Sequence, residues 1–241
     1  MRSKRTFESD DEESKTRKAI LRSAERLFAT RGIEATTMRE ITADAGTNLA
    51  AVNYHFGSKQ ELAYALFERL AAEVCAGRHA ELDEIERDAG GKPASVEAIV
   101  RVFLRPYVEG DEGRRLLLVR LIQQHRLEPT AVTRRVSAAH FDPLAARTTK
   151  MLCRGLPQLP ARDVFWRYHL MVGAVMASAF DVAPGNRLSR ISRGAADSAR
   201  RAELIEQTVA FLVNAMQGEP TPASGELDKP GKSNVKAFKR R

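Results

Sequence analysis

Apolar residues recur at helical spacing along most of the chain, whereas alternating strand-like runs are missing. Over about residues 14–30, Ile20, Ala24 and Phe28 mark one apolar face, and basic residues lie largely off it. Alanine, leucine, arginine and glutamate dominate the composition, and these residues favour helices. The sequence therefore predicts an all-α protein.

The stretch from 36 to 62 predicts two short helices, a tight turn between them and a third helix directly after them. Gly46 is expected in the turn, because a helix end commonly needs one left-handed residue. Thr37 is expected to cap the first helix, and Thr47 or Asn48 the second. This geometry is a helix-turn-helix, whose second helix can lie in the major groove of DNA. The positions expected to share its small core are Met38, Ile41, Ala45, Val52 and Phe56.

A long helix is predicted from about Ser58 to the region of His79, where it connects the small N-terminal unit to a larger one. Ser58 and Glu61 have the spacing of a capping box. The first strong break after it is the segment 88–95.

The rest of the chain predicts further helices and a polar loop at 183–199. The helix near 163–182 is apolar on nearly every side, so it is expected to be buried or to lie at an interface. Pro143 is expected to kink the helix that contains it. The predicted helices beyond residue 95 span about 96–108, 114–127, 130–153, 163–182 and 200–217.

These elements divide the chain into four parts. A polar segment at 1–13 is predicted to be a disordered arm, and 218–241 a disordered basic tail. Between them, 14–60 is predicted to form a DNA-binding domain, and 61–217 a helical regulatory and dimerisation domain.

Composition narrows the class of protein only a little. The net charge is +8, yet residues 1–60 carry 11 basic against 9 acidic residues, so the basic total says little about DNA. No run of about 18 uncharged apolar residues predicts a membrane span, and no secretory signal is seen. Two cysteines far apart are typical of a reduced compartment, so a cytoplasmic protein without membrane contact is expected.

No pattern of catalytic or metal-binding residues emerges. Gly-rich phosphate loops, a GxSxG turn and paired carboxylates in a recognisable frame are missing from the sequence. His79, His125, His140 and His169 lack the spacing of metal ligands. We therefore expect no enzyme activity, no metal and no cofactor.

Residues 14–62 resemble the DNA-binding domain of TetR-family transcriptional regulators. The signature of that family is represented by the turn glycine Gly46, the pair His55-Phe56, and then Ser58-Lys59 and Glu61-Leu62. Asn53 departs from the pattern, because the family often has tyrosine there. A looser similarity at 128–130 and 165–173 points to the branch that regulates fatty-acid metabolism and drug efflux. The upstream positions that match are Ile20, Ala24, Leu27, Phe28, Gly32, Thr36, Thr37, Ile41 and Ala45.

The resemblance implies a DNA-binding set around the second helix of the motif. Asparagine pairs with adenine and alanine methyl groups contact thymine methyl groups, which suggests a half-site that contains A·T pairs. The two threonines, Arg39, Tyr54, His55 and Lys59 are expected to contact phosphates. The full predicted set is Thr36, Thr37, Arg39, Asn48, Leu49, Ala50, Ala51, Asn53, Tyr54, His55 and Lys59.

The C-terminal domain is expected to hold an apolar pocket with a few polar groups, as ligand pockets commonly do. Helical spacing alone does not separate core residues from cavity residues. An acyl-like ligand with its carboxylate or thioester near His125 or Arg126 is one hypothesis. The predicted lining residues are Phe103, Tyr107, Leu121, His125, Arg126, Trp166, His169 and Met171.

Together these points predict a homodimeric repressor that a small hydrophobic effector releases from a palindromic operator. Its dimer is expected to pair through the helices near 163–182 and 200–217. A DNA-binding regulator without an effector, controlled by a protein partner, is the alternative, and it should lack a cavity above about 300 Å³. An enzyme on the same scaffold is a second alternative, and it would need convergent ionisable groups in that cavity.

Overall fold

The helices follow the predicted order. The computed structural model of the chain describes residues 3–179, 182 and 185–222, with side chains from Lys15 onward, and no strand occurs among them. None of the helices in these ranges is long and apolar enough to span a bilayer. The N-terminal unit comprises α1 (Ser3–Arg31), α2 (Met38–Asp44) and α3 (Leu49–Phe56). The C-terminal unit comprises α4 (Lys59–Asp88), α5 (Val96–Val108), α6 (Glu112–Leu127), α7 (Ala131–Val136), α8 (Asp142–Gly155), α9 (Ala161–Ser178), α10 (Arg187–Ile191) and α11 (Arg201–Gln217).

The N-terminal unit has the small apolar core that the spacing predicted. Ile41 and Val52 are fully buried, and Phe56 is nearly so. Met38 and Ala45 are partly buried against them. Burial of these side chains fixes α2 and α3 against α1, so the opposite face of α3 remains at the surface.

Caps and turn residues also set the ends of α2 and α3. Thr37 forms a full capping box with Glu40, and Asn48 caps α3. Gly46 has a φ of 64° between the two helices, as expected of the turn. Ser58 accepts a hydrogen bond from the Glu61 amide, but its own amide donates to the Phe56 carbonyl, so the predicted Ser58–Glu61 box is only half formed.

Gly46→Ala is expected to destabilise the protein by about 1 kcal/mol, because a side chain in the left-handed region costs roughly that much. A Cβ at this position meets no atom within 4 Å, so backbone strain is the cause and not a clash. Chemical denaturation measures the change in the free energy of unfolding. An unchanged midpoint would show that the turn relaxes to another conformation.

Several boundaries differ from the prediction. Helix α1 begins at Ser3, so residues 3–13 are helical and not a disordered arm. This segment holds three glutamates, one lysine and one arginine, which are good helix formers. Helix α4 continues to Asp88, and the predicted loop at 183–199 contains α10.

The start of the predicted disordered tail is attached to α9. The guanidinium of Arg167 donates to the carbonyls of Met216 and Gly218, and buried Asp163 accepts from the Thr221 amide. A basic side chain at a helix C-terminus satisfies carbonyls that have no partner within the helix. Residues 223–241 lie outside the described part of the chain.

The helical pattern changes just before Pro143, where a kink was predicted. A π-helical turn at Ser137–Phe141 joins α7 to α8, and the Asp142 amide donates five residues back to Ser137. Proline has no amide hydrogen and its ring displaces the carbonyl four residues before it. The wider turn absorbs this disruption, and its residues Ser137 and Phe141 face the cavity described below.

Candidate functional site

Helix α3 presents an exposed and largely uncharged face. Tyr54 is 75% exposed and Leu49 is 41% exposed, and Ala50 and Asn53 are also exposed. Ala51 and His55 are half-buried beside them. Because Val52 and Phe56 anchor the inner side of α3, this outer face is held in one orientation.

The two asparagines of the predicted set have different environments. The Oδ1 atom of Asn48 accepts a hydrogen bond of 2.9 Å from the Ala51 amide. A bidentate contact with adenine needs both the oxygen and the nitrogen of the side-chain amide. Asn53 is exposed, so it is the better candidate for that contact, and Asn48 serves mainly to cap α3.

Thr36 does not fit its predicted role. Its side chain is fully buried, and its hydroxyl donates to the Gly32 carbonyl at 2.8 Å. The connection from α1 turns inward here, so the hydroxyl is not available to a phosphate. The neighbouring residues Thr37 and Arg39 are both exposed at the start of α2.

Lys59 also differs from its predicted role as a phosphate ligand. Its ammonium donates to the carbonyls of Ile33, Glu34 and Thr36 at 3.0, 3.2 and 3.3 Å. An ammonium has three N–H donors, so these contacts use all of them. We call this arrangement the Lys59 clamp; it fastens the start of α4 to the loop between α1 and α2.

The end of α3 is next to a cation that the sequence did not single out. The Arg17 guanidinium lies 5.2 Å from the centre of the Phe56 ring, and Arg17 is exposed. Arg17 lies off the apolar face of α1, which is the only signal in the sequence that placed it at the surface.

The rings of Tyr54 and His55, on the same helix, meet edge to face at 5.3 Å.

An ion-pair network joins the two units. Glu25 of α1 pairs with Arg69 of α4 and, at 2.7 Å, with Arg114 of α6. Arg114 also pairs with Glu73. Glu25 is 18% exposed and Arg69 25% exposed, so solvent screens the Glu25–Arg69 pair less than it screens ordinary surface pairs, whereas Arg114 and Glu73 are more exposed.

A cavity of about 220 Å³ lies within the C-terminal unit. Four of the predicted lining residues contribute to it, namely Phe103, Tyr107, His125 and Arg126. The sequence reasoning missed the others, which are Arg78, Ile122, Ser137, Phe141, Asp142, Leu144, Ala145, Tyr168, Val172 and Met176.

The other four predicted lining residues lie elsewhere. Trp166 is 63% exposed, and its ring meets that of His169 on the outer face of α9. Met171 is buried in the core, and Leu121 faces a separate pocket beside α4. The inner face of α9 is instead formed at a spacing of four residues by Tyr168, Val172 and Met176.

The charge state of the cavity follows from burial. Burial lowers the pKa of His125, and the nearby Arg126 and Arg134 lower it further, so the imidazole is neutral at pH 7. Burial raises the pKa of Tyr168 to about 12, so its hydroxyl keeps its proton. Both groups can therefore form hydrogen bonds with a ligand without carrying charge.

Large apolar side chains are exposed on α9, on the face away from the cavity, and on α11. Phe165, Trp166 and Leu170 of α9 are each more than half exposed, and Phe211 of α11 is 63% exposed. We call these four residues the α9–α11 patch. Large exposed apolar patches commonly mark protein–protein interfaces.

Comparisons with known proteins match both units. The family model described as bacterial regulatory proteins of the tetR family matches residues 20–66. A second, described as the tetracyclin repressor-like C-terminal domain, matches residues 97–215. The HTH-type transcriptional dual regulator CecR of Shigella flexneri is 28% identical over 204 residues, which cover 82% of this chain and 89% of that protein.

Other relatives match more locally or in fold alone. The regulator TtgR of Pseudomonas putida is 40% identical over 60 residues, covering 25% of this chain and 29% of that protein. The structure of a putative transcriptional regulator from Saccharomonospora viridis in complex with choline has a TM-score of 0.57 at 20% identity, covering 83% of this chain and 96% of that chain. That of the multidrug binding protein EbrR complexed with imidazole has a TM-score of 0.54 at 18% identity, covering 87% of this chain and 97% of that chain.

Proposed function

The chain belongs to the TetR family of DNA-binding transcriptional regulators, and we propose that it is a cytoplasmic homodimeric repressor released from a palindromic operator by a small effector. The family consists of regulators and not of enzymes. The main support for operator binding is the exposed outer face of α3. The caps of α3 and its buried inner face hold this surface in place. A recognition helix in this position fits the major groove.

Direct base reading is assigned to a smaller set than the sequence suggested. Asn53 and Tyr54 are exposed at the centre of α3, and Leu49 and Ala50 offer apolar contacts to thymine methyl groups. The exposed Arg39 at the start of α2 can contact a phosphate and so set the register. Thr36, Thr37 and Lys59 are left out of the operator contacts, because their polar side-chain groups are used internally, that of Thr37 in the capping box with Glu40.

Asn53→Ala is expected to weaken operator binding by about tenfold to a hundredfold per half-site, since a bidentate contact to a base is worth about 1–3 kcal/mol and each subunit loses one. Fluorescence anisotropy with the DNA upstream of the chain's own gene measures the loss. Lys150→Ala, on an exposed position of α8, is the control and should bind like wild type. Equal affinities for Asn53→Ala and wild type would exclude Asn53 from base contact, and no binding by wild type would count against autoregulation at this site.

A second copy of the chain is proposed to cover the α9–α11 patch. A palindromic operator needs two recognition helices related by a two-fold axis, and an isologous interface places the same patch on both subunits. The patch lies on α9 and α11, the two helices that were predicted to form the dimer interface.

The volume of the cavity does not by itself support an effector. At about 220 Å³ it is below the roughly 300 Å³ that would exclude the effector-independent alternative, so volume alone fits that alternative. The relatives solved with choline and with imidazole hold small ligands, which supports the effector reading. The buried guanidinium of Arg78 in the cavity wall gives further support to a small effector.

Two helices are proposed to carry the signal. Helix α4 begins at the Lys59 clamp and carries Arg78 into the cavity, and α6 begins beside α1 and carries His125 to the same cavity. At the near end of α6, a Cβ on Gly113 would lie 3.2 Å from the Ala29 Cβ of α1. A ligand that shifts α4 or α6 would therefore move the DNA-binding unit, to the extent that the ligand prefers one arrangement over the other.

A further inference from the structure

Arg78 is an unusual member of the cavity wall. Its side chain is only 2% exposed, although arginine is seldom fully buried without a partner. It lies on the inner stripe of α4 together with Ala71, Cys75 and Leu82, all of which are buried. Arg78 is therefore a cation on a stripe of α4 whose other side chains are apolar.

No carboxylate neutralises this cation among the described residues. One terminal nitrogen of Arg78 donates to the Tyr107 hydroxyl at 3.3 Å, and the other donates to the Phe103 carbonyl. Its Cζ atom lies 4.5 and 4.6 Å from the centres of the Phe103 and Tyr107 rings. The Nε atom is buried without a hydrogen-bond partner.

These contacts supply acceptors for only some of the N–H donors of the Arg78 guanidinium. Arginine has five N–H donors, and the protein supplies acceptors for two of them. Buried donors without acceptors are costly, and a buried charge is costlier unless it is paired. A ligand with an anionic group would supply both the missing acceptors and the missing charge.

The remaining polar groups of the cavity agree with a singly charged anion. Arg78 and Arg126 contribute two positive charges, Asp142 contributes one negative charge, and His125 is neutral. The lining therefore carries a net charge of +1. His125 also has a buried Nδ1 atom without a partner, and Tyr168 retains a hydroxyl proton, so both can bond to a headgroup.

We propose that the cavity binds a small organic monoanion, and that Arg78 binds its carboxylate. The proposal rests on the proposed effector function and names the chemical class of the effector. Aromatic and aliphatic side chains such as Phe103, Phe141 and Met176 enclose the remaining space, which suits an aromatic or short aliphatic acid. The volume of about 220 Å³ excludes a long acyl thioester from the cavity in this conformation.

Isothermal titration calorimetry on the full chain tests the charge preference directly. The probes are benzoate, phenylacetate and the straight-chain acids from butanoate to octanoate, each compared with its own neutral amide. At least one acid is expected to bind ten times or more tightly than its amide. Benzyltrimethylammonium provides the opposite charge on a similar body, and it is expected not to bind.

Arg78→Gln is expected to remove the preference for the acid, whereas Arg78→Lys should keep part of it. Arg126→Gln is the matched variant, and its loss should be smaller because Arg126 is exposed. Thermal melting followed by circular dichroism checks that each variant folds. If Arg78→Gln does not fold, the comparison of acids with amides on wild type still decides whether the cavity prefers an anion, and the affinity of Arg78→Lys relative to Arg126→Gln decides whether Arg78 binds it.

The proposal is overturned if wild type binds no acid, or if no acid is preferred over its amide. Amides or the ammonium that bind as tightly as the acids would leave the proposed effector function in place and refute only the preference for an anion. Fluorescence anisotropy with the operator tests the proposed DNA binding independently of the effector. An acid that binds with equal affinity to wild type and Arg78→Gln would mean that Arg78 is a structural cation stacked on Phe103 and Tyr107.

Discussion

Leu170→Glu is expected to convert the proposed dimer to a monomer and to reduce operator affinity by at least a hundredfold. Leu170 is 65% exposed in one chain and lies in the α9–α11 patch, so a second copy would bury it. A carboxylate buried there without a partner opposes association strongly. A monomer also loses the bivalent contact with two half-sites, which is worth a factor of about 10²–10⁴.

Analytical ultracentrifugation gives the mass of the variant, and anisotropy on the same operator gives its affinity. Leu127→Glu is a matched control, because Leu127 is an even more exposed leucine at the end of α6, outside the patch. The control should remain dimeric and bind DNA like wild type. A Leu170→Glu protein that remains dimeric would place the interface on another surface.

The helix-turn-helix was largely predictable because its determinants are local. Gly46 at the turn, and the caps of α2 and α3, depend on residues within a few positions of one another. The roles of Thr36 and Lys59 depend on how the loop after α1 passes over the start of α4. The sequence identified both residues but not the carbonyls that they meet, so it assigned them to DNA.

The cavity was predictable only in part, because several faces of a helix can be apolar at once. On α9, the pair Trp166 and His169 and the pair Tyr168 and Val172 have equally helical spacing, and only packing decides which pair faces inward. Arg78 had a stronger signal, since it interrupts the apolar stripe of α4. The sequence reasoning placed its polar groups only on the later helices, at His125, Arg126 and His169, and so passed over Arg78.

The N-terminal arm was mispredicted for a different reason. Low hydrophobicity in residues 3–13 indicates that they bury no core, but it does not decide whether a helix continues. The three glutamates, one lysine and one arginine of the segment have favourable helix propensities, and the segment directly precedes residues whose buried face already nucleates a helix. Extending an existing helix costs far less than starting a new one, so α1 begins at Ser3.

Lys59→Met is expected to destabilise the protein by about 2 kcal/mol, because charge-assisted hydrogen bonds are worth roughly that much and the side chain is partly exposed. The ammonium supplies three contacts to the loop between α1 and α2, and methionine keeps the apolar stem but none of the contacts. Operator affinity is expected to fall as well, because α2 and α3 are then held less firmly to α4. Chemical denaturation measures the first effect and anisotropy the second.

The salt dependence of operator binding separates the clamp from a phosphate contact. Removing a lysine that neutralises a phosphate reduces the slope of log K against log salt concentration by about one per subunit. Loss of the Lys59 clamp should leave that slope unchanged while both stability and affinity fall. Lys150→Met makes the same substitution at an exposed site on α8 and should change neither quantity. A reduced slope with unchanged stability in Lys59→Met would show instead that the ammonium leaves the loop carbonyls and meets the DNA backbone in the complex.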